Sequence, residues 1–137
     1  MPFVPLFTRL LPLSLLLLSA TCQPNRSAPP TIKQLEGTWL ISREENAGDT
    51  LVYRPNTFAF PPSRGRTGFA VKPFGQFEQF DIAPTDGLAG HPGTWALESD
   101  TRLRIHLTEG QEPDYTLELI SLKNKVLRVR RLANSKQ

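Results

Sequence analysis

Apolar and polar positions alternate in short runs from Leu35 onward, and the period is two rather than 3.6. The clearest run is Arg102-Leu103-Arg104-Ile105-His106-Leu107, with three apolar residues on one face and three cationic or titratable ones on the other. That is the pattern of a half-buried antiparallel strand. Similar segments are Gly37–Arg43, Thr50–Arg54 continuing after Pro55 into Thr57–Phe60, Thr67–Lys72, Gln76–Ala83, Thr94–Glu98, Tyr115–Leu122 and Lys125–Leu132. Pro61-Pro62, Pro73 with Gly75, Pro84 to Gly93, Ser99-Asp100, Gly110 to Pro113 and Lys123-Asn124 separate them. Phe74, Phe77 and Phe80 have the spacing of a helix face, but Pro73, Gly75 and Pro84 leave little room for one, so a bulged strand is the expectation. A short helical turn is expected over Thr31 to Leu35. Eight strands with tight connections predict a small all-β domain over 35–132, an eight-stranded antiparallel up-and-down barrel or a sandwich. A polar tail, 133–137, follows.

The start of the chain follows another pattern. Leu10 to Leu18 reads LLPLSLLLL with Arg9 before it, shorter than the roughly 20 apolar residues of a spanning helix. It fits the apolar centre of an export signal over 1–22, followed by Ser19, Ala20 and Thr21 and then by Cys22. The ending Leu18-Ser19-Ala20-Thr21-Cys22 resembles a bacterial lipoprotein signal, which implies lipid attachment at Cys22; ordinary cleavage near Cys22 is the alternative. Thr21, and a residue other than Leu three before the cysteine, depart from the usual signal. Residues 23–34 carry three prolines and no apolar period up to Thr31, as expected of a semi-extended tether and the short helical turn. The expected location is the bacterial cell envelope, membrane-anchored or secreted.

Composition narrows the function classes. The 137 residues hold 16 basic and 13 acidic side chains for a net charge of +3. No long run of like charge occurs, so a nucleic-acid partner is not expected. The single cysteine excludes an internal disulfide framework and a CxxC zinc site. His91 lies in a Gly/Pro-rich loop and His106 on the polar face of its strand, without metal-ligand spacing. There is no nucleophile elbow, phosphate loop or dinucleotide fingerprint. Glu44-Glu45 is an adjacent pair whose side chains diverge on a strand. No enzyme activity, metal or cofactor is therefore expected.

Leu35-Glu36-Gly37-Thr38-Trp39 resembles the Gly-x-Trp signature of lipocalins, and Asp114-Tyr115 resembles their second signature. An arginine of Arg128-Val129-Arg130-Arg131-Leu132 matches the third. In an eight-stranded meander the end of the last strand lies beside the start of the first, which would bring that arginine near Trp39. Inward parity from Leu127 and Val129 selects Arg131, with Arg130 as the substitute. The resemblance implies a barrel floor of Gly37, Trp39 and Arg131, with the guanidinium on the indole face. The block from Tyr53 to Arg66 is similar to uncharacterised bacterial lipocalin-like proteins. The domain is shorter than typical lipocalins and lacks their long C-terminal helix and their disulfide. Gly37-Thr38-Trp39 recurs as Gly93-Thr94-Trp95, either a trace of duplication or a common choice at strand starts.

Two features point to binding. Six of the eight phenylalanines lie between Phe58 and Phe80. Phe58, Phe60, Phe69, Phe80 and Trp95, with Tyr115 as a polar tip, either line a pocket for a small hydrophobic or amphipathic ligand or fill the barrel. Arg64 and Arg66 flank Gly65, either as a headgroup site at the barrel mouth or as a solvated turn. The expectation is an exported, lipocalin-like domain binding a small amphipathic molecule in the envelope. The rival is a non-catalytic structural or interaction domain with a filled barrel.

Overall fold

The structure, a computed structural model, describes residues 31–85, 87–109 and 113–134. Its elements are α1 (Ile32–Leu35), β1 (Gly37–Ile41), β2 (Leu51–Pro55), β3 (Gly68–Val71), β4 (Gln76–Ile82), β5 (Leu88–Ser99), β6 (Arg102–Leu107), β7 (Tyr115–Lys123) and β8 (Val126–Ala133). The eight strands close into one barrel in the order β1-β2-β8-β7-β6-β5-β4-β3. Every strand runs antiparallel to both neighbours. The fold expected from the sequence, a small antiparallel up-and-down barrel, is the fold observed. Residues 1–30, with the expected signal and Cys22, and the end of the polar tail lie outside the described residues.

One neighbour relation differs from a simple meander. β1 lies between β2 and β3, and β8 closes the barrel on β2 rather than on β1. The cause is the segment 56–67. The expected continuation of the second strand through Phe60 does not form, because pairing stops at Pro55 and Pro61-Pro62 offers no N–H groups to a ladder. After the Asn56 N–H donates to Thr38 O (3.0 Å), the chain makes a turn in which the Phe58 N–H donates to Pro55 O (2.9 Å). It then passes to the other side of β1 and starts β3 at the opposite end of the barrel.

β5 is longer than expected, beginning at Leu88 instead of Thr94. Leu88-Ala89-Gly90-His91-Pro92 has no apolar alternation to reveal it, yet it pairs with β4 from Ile82 to Glu78. The turn shrinks to Ala83–Gly87, closed by the Ala83 N–H donating to Gly87 O. At the β7–β8 connection Asn124 and Lys125 both have positive φ (53° and 59°), the signature of a two-residue type I′ hairpin.

The strand directions sort the connections into two ends. β1 starts, and β3–β4, β5–β6 and β7–β8 turn, at the end carrying α1. The β1–β2, β4–β5 and β6–β7 connections lie at the other. Leu35 from α1 is buried and joins Trp39, Tyr53, Phe69, Val71, Phe77, Leu103, Ile105, Leu117, Leu127 and Val129 in one core. The helix thus plugs its end of the barrel. Gly37 supplies the link between helix and strand, with φ of 133° that side chains rarely adopt.

Candidate functional site

The barrel interior is packed with side chains. Phe69 stacks on Phe77 (centroids 5.6 Å apart) and meets Tyr53 at a tilt (4.9 Å). Leu103, Ile105, Leu127 and Val129 complete the filling. Among the described residues a cleft of about 50 Å³ lies at the end away from α1, bordered by Tyr53, Thr67, Phe69, Gln79, Asp81, Tyr115 and Arg131. A few waters or one carboxylate-sized group fit there. Ligand pockets for drug-sized molecules run to about 300–1,000 Å³.

The cleft is polar because the inward positions turn polar at the upper ends of β4 and β8. On β4 the inward series is Phe77, Gln79, Asp81; on β8 it is Leu127, Val129, Arg131. The Tyr115 hydroxyl donates to Gln79 Oε1 (2.8 Å), and Gln79 Nε2 donates to Asp81 Oδ2 (3.1 Å). Asp81 in turn faces His91 Nε2 at 3.4 Å. A chain of polar groups therefore runs from a buried phenol to a partly exposed imidazole. Burial pushes the Tyr53 phenol up, opposed by the positive charge of Arg131.

The barrel-floor arrangement expected from the sequence is corrected here. Trp39 is buried at the α1 end and donates its indole N–H to Leu35 O (2.9 Å). The Arg131 guanidinium lies over the Tyr115 ring (3.9 Å to the centroid), at the mouth. The two residues part because β2, not β1, is the neighbour of β8. Arg130, the substitute, points outward into ion pairs with Asp49 (2.8 Å) and Glu118 (3.0 Å).

The expected aromatic wall is dispersed as well. Phe69 and Tyr115 are in the core. Phe80 is half-buried, on the opposite parity to Phe77 and Gln79. Trp95 packs half-buried against the core with its indole N–H donated to Lys72 O (2.9 Å). Phe58 and Phe60 lie outside the barrel in the crossover segment, edge to face with each other (5.0 Å) and each covered by a guanidinium, of Arg54 and of Arg66 respectively (both 4.5 Å).

Arg66 is not a solvated turn residue, and its contacts are those of a staple rather than of a headgroup site. It is 7% exposed. Its Nη1 donates to Ile41 O (3.0 Å) and Glu44 Oε2 (2.9 Å), and its Nη2 to Glu44 Oε1 (2.7 Å) and Pro61 O (3.1 Å). The bidentate fork fixes the returning crossover to the end of β1. Arg64 stays exposed. Glu44-Glu45 diverge as expected, but each finds an arginine, since Arg54 holds Glu45 (2.6 Å). Neither arginine is adjacent in sequence to its carboxylate, and a turn of 3-10 helix, Arg43–Glu45, that has no apolar signature presents the pair.

Hydrogen bonds from Arg66 and Arg54 hold Glu44 and Glu45, respectively, at about 2, below their ordinary 4.5. Because the folded values are the lower ones, this stabilisation is complete above the ordinary value. It drains away as pH falls from there toward 2. Solvent screens it, as both carboxylates are about a third exposed or more. The melting temperature is expected to fall over this window, and to fall less steeply in Glu44→Gln. Identical slopes for both proteins would show that the staple carries no pH-linked stability.

The histidines are exposed or nearly so but not unpaired. His106 Nδ1 lies 2.7 Å from Asp114 Oδ1, beside the Asp114-Tyr115 motif, and His91 faces Asp81. Exposed pairs of this kind contribute little to stability. Among the described residues no group of three His, Cys, Asp or Glu side chains is placed to hold a metal, and no helix is long and apolar enough to cross a membrane. No protein-family model, curated protein or solved structure matches the chain.

Proposed function

We propose that this chain is an exported, lipocalin-like envelope domain that acts as a non-catalytic structural or interaction module with a filled barrel. Of the two expectations raised by the sequence, the packed interior favours this one over an amphipathic-ligand carrier. The observation that carries it is the stack of Tyr53, Phe69 and Phe77 across the barrel, which occupies the space a lipid tail would need. The apolar run Leu10–Leu18 ahead of Cys22 supports export and anchoring. What such a domain offers a partner is its outer surface and its two ends.

An apolar fluorescent dye titrated into the folded protein tests this. Saturable one-to-one binding is not expected, because opening the interior would undo the aromatic packing. Near-stoichiometric, saturable binding that is lost in Phe69→Ala would overturn the filled-barrel reading and restore the carrier.

A further inference from the structure

We propose that the polar cleft at the barrel mouth binds a carboxylate group, held by the Tyr53 hydroxyl and the Arg131 guanidinium. The carboxylate belongs to a small free acid or to a molecule whose remainder stays outside the barrel. The proposal goes beyond the filled-barrel reading and does not depend on it, because it uses only the space above the aromatic stack.

Tyr53 carries the inference. The residue is 8% exposed and borders the cleft. Its ring packs at a tilt on Phe69 (4.9 Å), yet among the described residues its hydroxyl has no hydrogen-bond partner. Buried polar groups in native proteins are nearly always paired, and leaving one unpaired is costly. A phenylalanine here would give the same packing without that cost. A hydroxyl kept in such a place points to an acceptor that comes from outside. Burial pushes this phenol up against the pull of the Arg131 charge, so it presents an O–H donor at neutral pH.

The strand order places a cation beside it. β8 runs between β2 and β7, so Tyr53, Arg131 and Tyr115 come from three adjacent strands and border one cleft. The Arg131 guanidinium lies over the Tyr115 ring, 3.9 Å from its centroid. Such a contact takes the flat face of the guanidinium and none of its N–H donors, which lie in its plane. Those donors serve several acceptors at once, as they do in Arg66 with Glu44, Ile41 O and Pro61 O. Arg131 is exposed, so the cleft opens to solvent on this side.

Asp81 also borders the cleft. Together with Arg131 it leaves no net charge, and the preference comes from position. β4 and β8 are opposite walls, with three strands between them on either side. On the β4 wall Asp81 accepts from Gln79 Nε2 (3.1 Å) and faces His91 Nε2 (3.4 Å). On the other wall Arg131 and Tyr53 supply donors. A carboxylate seated against them stands across the cleft from Asp81. The volume of about 50 Å³ admits one carboxylate-sized group. Phe69 and Phe77 fill the barrel beneath, so any longer tail points outward.

The test titrates sodium acetate into the full-length, isotope-labelled protein, against sodium chloride at matched ionic strength, and follows the Gln79 side-chain amide resonance. A saturable shift in the millimolar range is expected with acetate. Acetamide, the neutral isostere, should bind about tenfold more weakly or not at all. Tyr53→Phe should weaken acetate about tenfold, while its melting temperature stays at or above that of the wild type because no protein partner is lost. Arg131→Gln should weaken acetate by a similar factor, whereas Arg64→Gln, in the exposed crossover, should not. Asp81→Asn should tighten acetate about twofold or more, because a like charge across the cleft is gone. Hexanoate separates the two sources: affinity equal to that of acetate shows a tail left outside, and its exclusion confines the site to small free acids. The absence of a saturable acetate shift would overturn the proposal, as would equal binding of acetamide or unchanged acetate binding in Tyr53→Phe. A clear fall in the melting temperature of Tyr53→Phe would overturn it too, by giving the hydroxyl a structural role. The dye titration reads the barrel interior, and none of these outcomes alters it.

Discussion

Trp39→Ala is expected to lower the unfolding free energy by about 3–5 kcal/mol, the range for removing a large buried aromatic side chain. Trp39 is 5% exposed, at the point where α1 turns into β1. Its loss leaves a cavity beside Leu35 and frees the Leu35 carbonyl that the indole N–H holds at 2.9 Å. The helix should then release its end of the barrel, so amide exchange near α1 and β1 should rise more than at β7. Denaturant unfolding monitored by dichroism checks the magnitude. A loss below about 1 kcal/mol would mean that the plug at this end relaxes into the space. The same series places Arg131. A double-mutant cycle of Arg131→Ala with Tyr115→Leu should show coupling, whereas the cycle with Trp39→Ala should be nearly additive. The reverse result would return Arg131 to the barrel floor.

The strands were legible because their signal is local. Arg102–Leu107 alternates without a break and is a strand over those same residues. The short helix before Gly37 could likewise be read from neighbouring residues, whereas the β7–β8 turn, expected at Lys123-Asn124, falls one residue later at Asn124-Lys125. What the local pattern does not carry is the order of strands around the barrel. Nothing in Tyr53 or Val129 says that β2 rather than β1 will lie against β8; that follows from where the crossover 56–67 takes the chain. The site expectations failed through the same gap. Phe58 and Phe60 read as inward residues on a strand that Pro55 in fact ends, and Arg66 read as a free cation although its partner Glu44 lies far away in sequence. The polar chain Tyr115–Gln79–Asp81 was invisible for a related reason, since an inward Gln on a strand looks like an ordinary polar position until its partner is placed opposite. The upper half of β5 was missed because its residues are mostly half-exposed or exposed, which leaves no apolar period to detect.

Gly68→Ala should be the most damaging small change in the domain. Gly68 opens β3 opposite Leu40 of β1 and Phe80 of β4, at the pairing on which barrel closure depends. A methyl group built on its α-carbon would overlap the Trp39 carbonyl oxygen and stand 3.0 Å from both the α-carbon and a δ-carbon of Leu40. Two of these three atoms are backbone in a hydrogen-bonded strand, so they cannot yield as a flexible side-chain tip would. The strand must move outward, and the β1–β3 ladder loses bonds while Phe69, the next residue, is pulled from its stack on Phe77. Overpacking in a core costs about 1–3 kcal/mol and sometimes more. The backbone nature of the clash sets the expectation at the upper end, about 3 kcal/mol, or failure to fold. Gly87→Ala is the matched control, because no atom lies within 4 Å of a methyl group there, and it should change stability by less than about 0.5 kcal/mol. Chemical denaturation of the two variants beside the wild type decides the matter. If Gly68→Ala unfolds at the same denaturant concentration as Gly87→Ala, β3 does not close against β1 as tightly as this register requires.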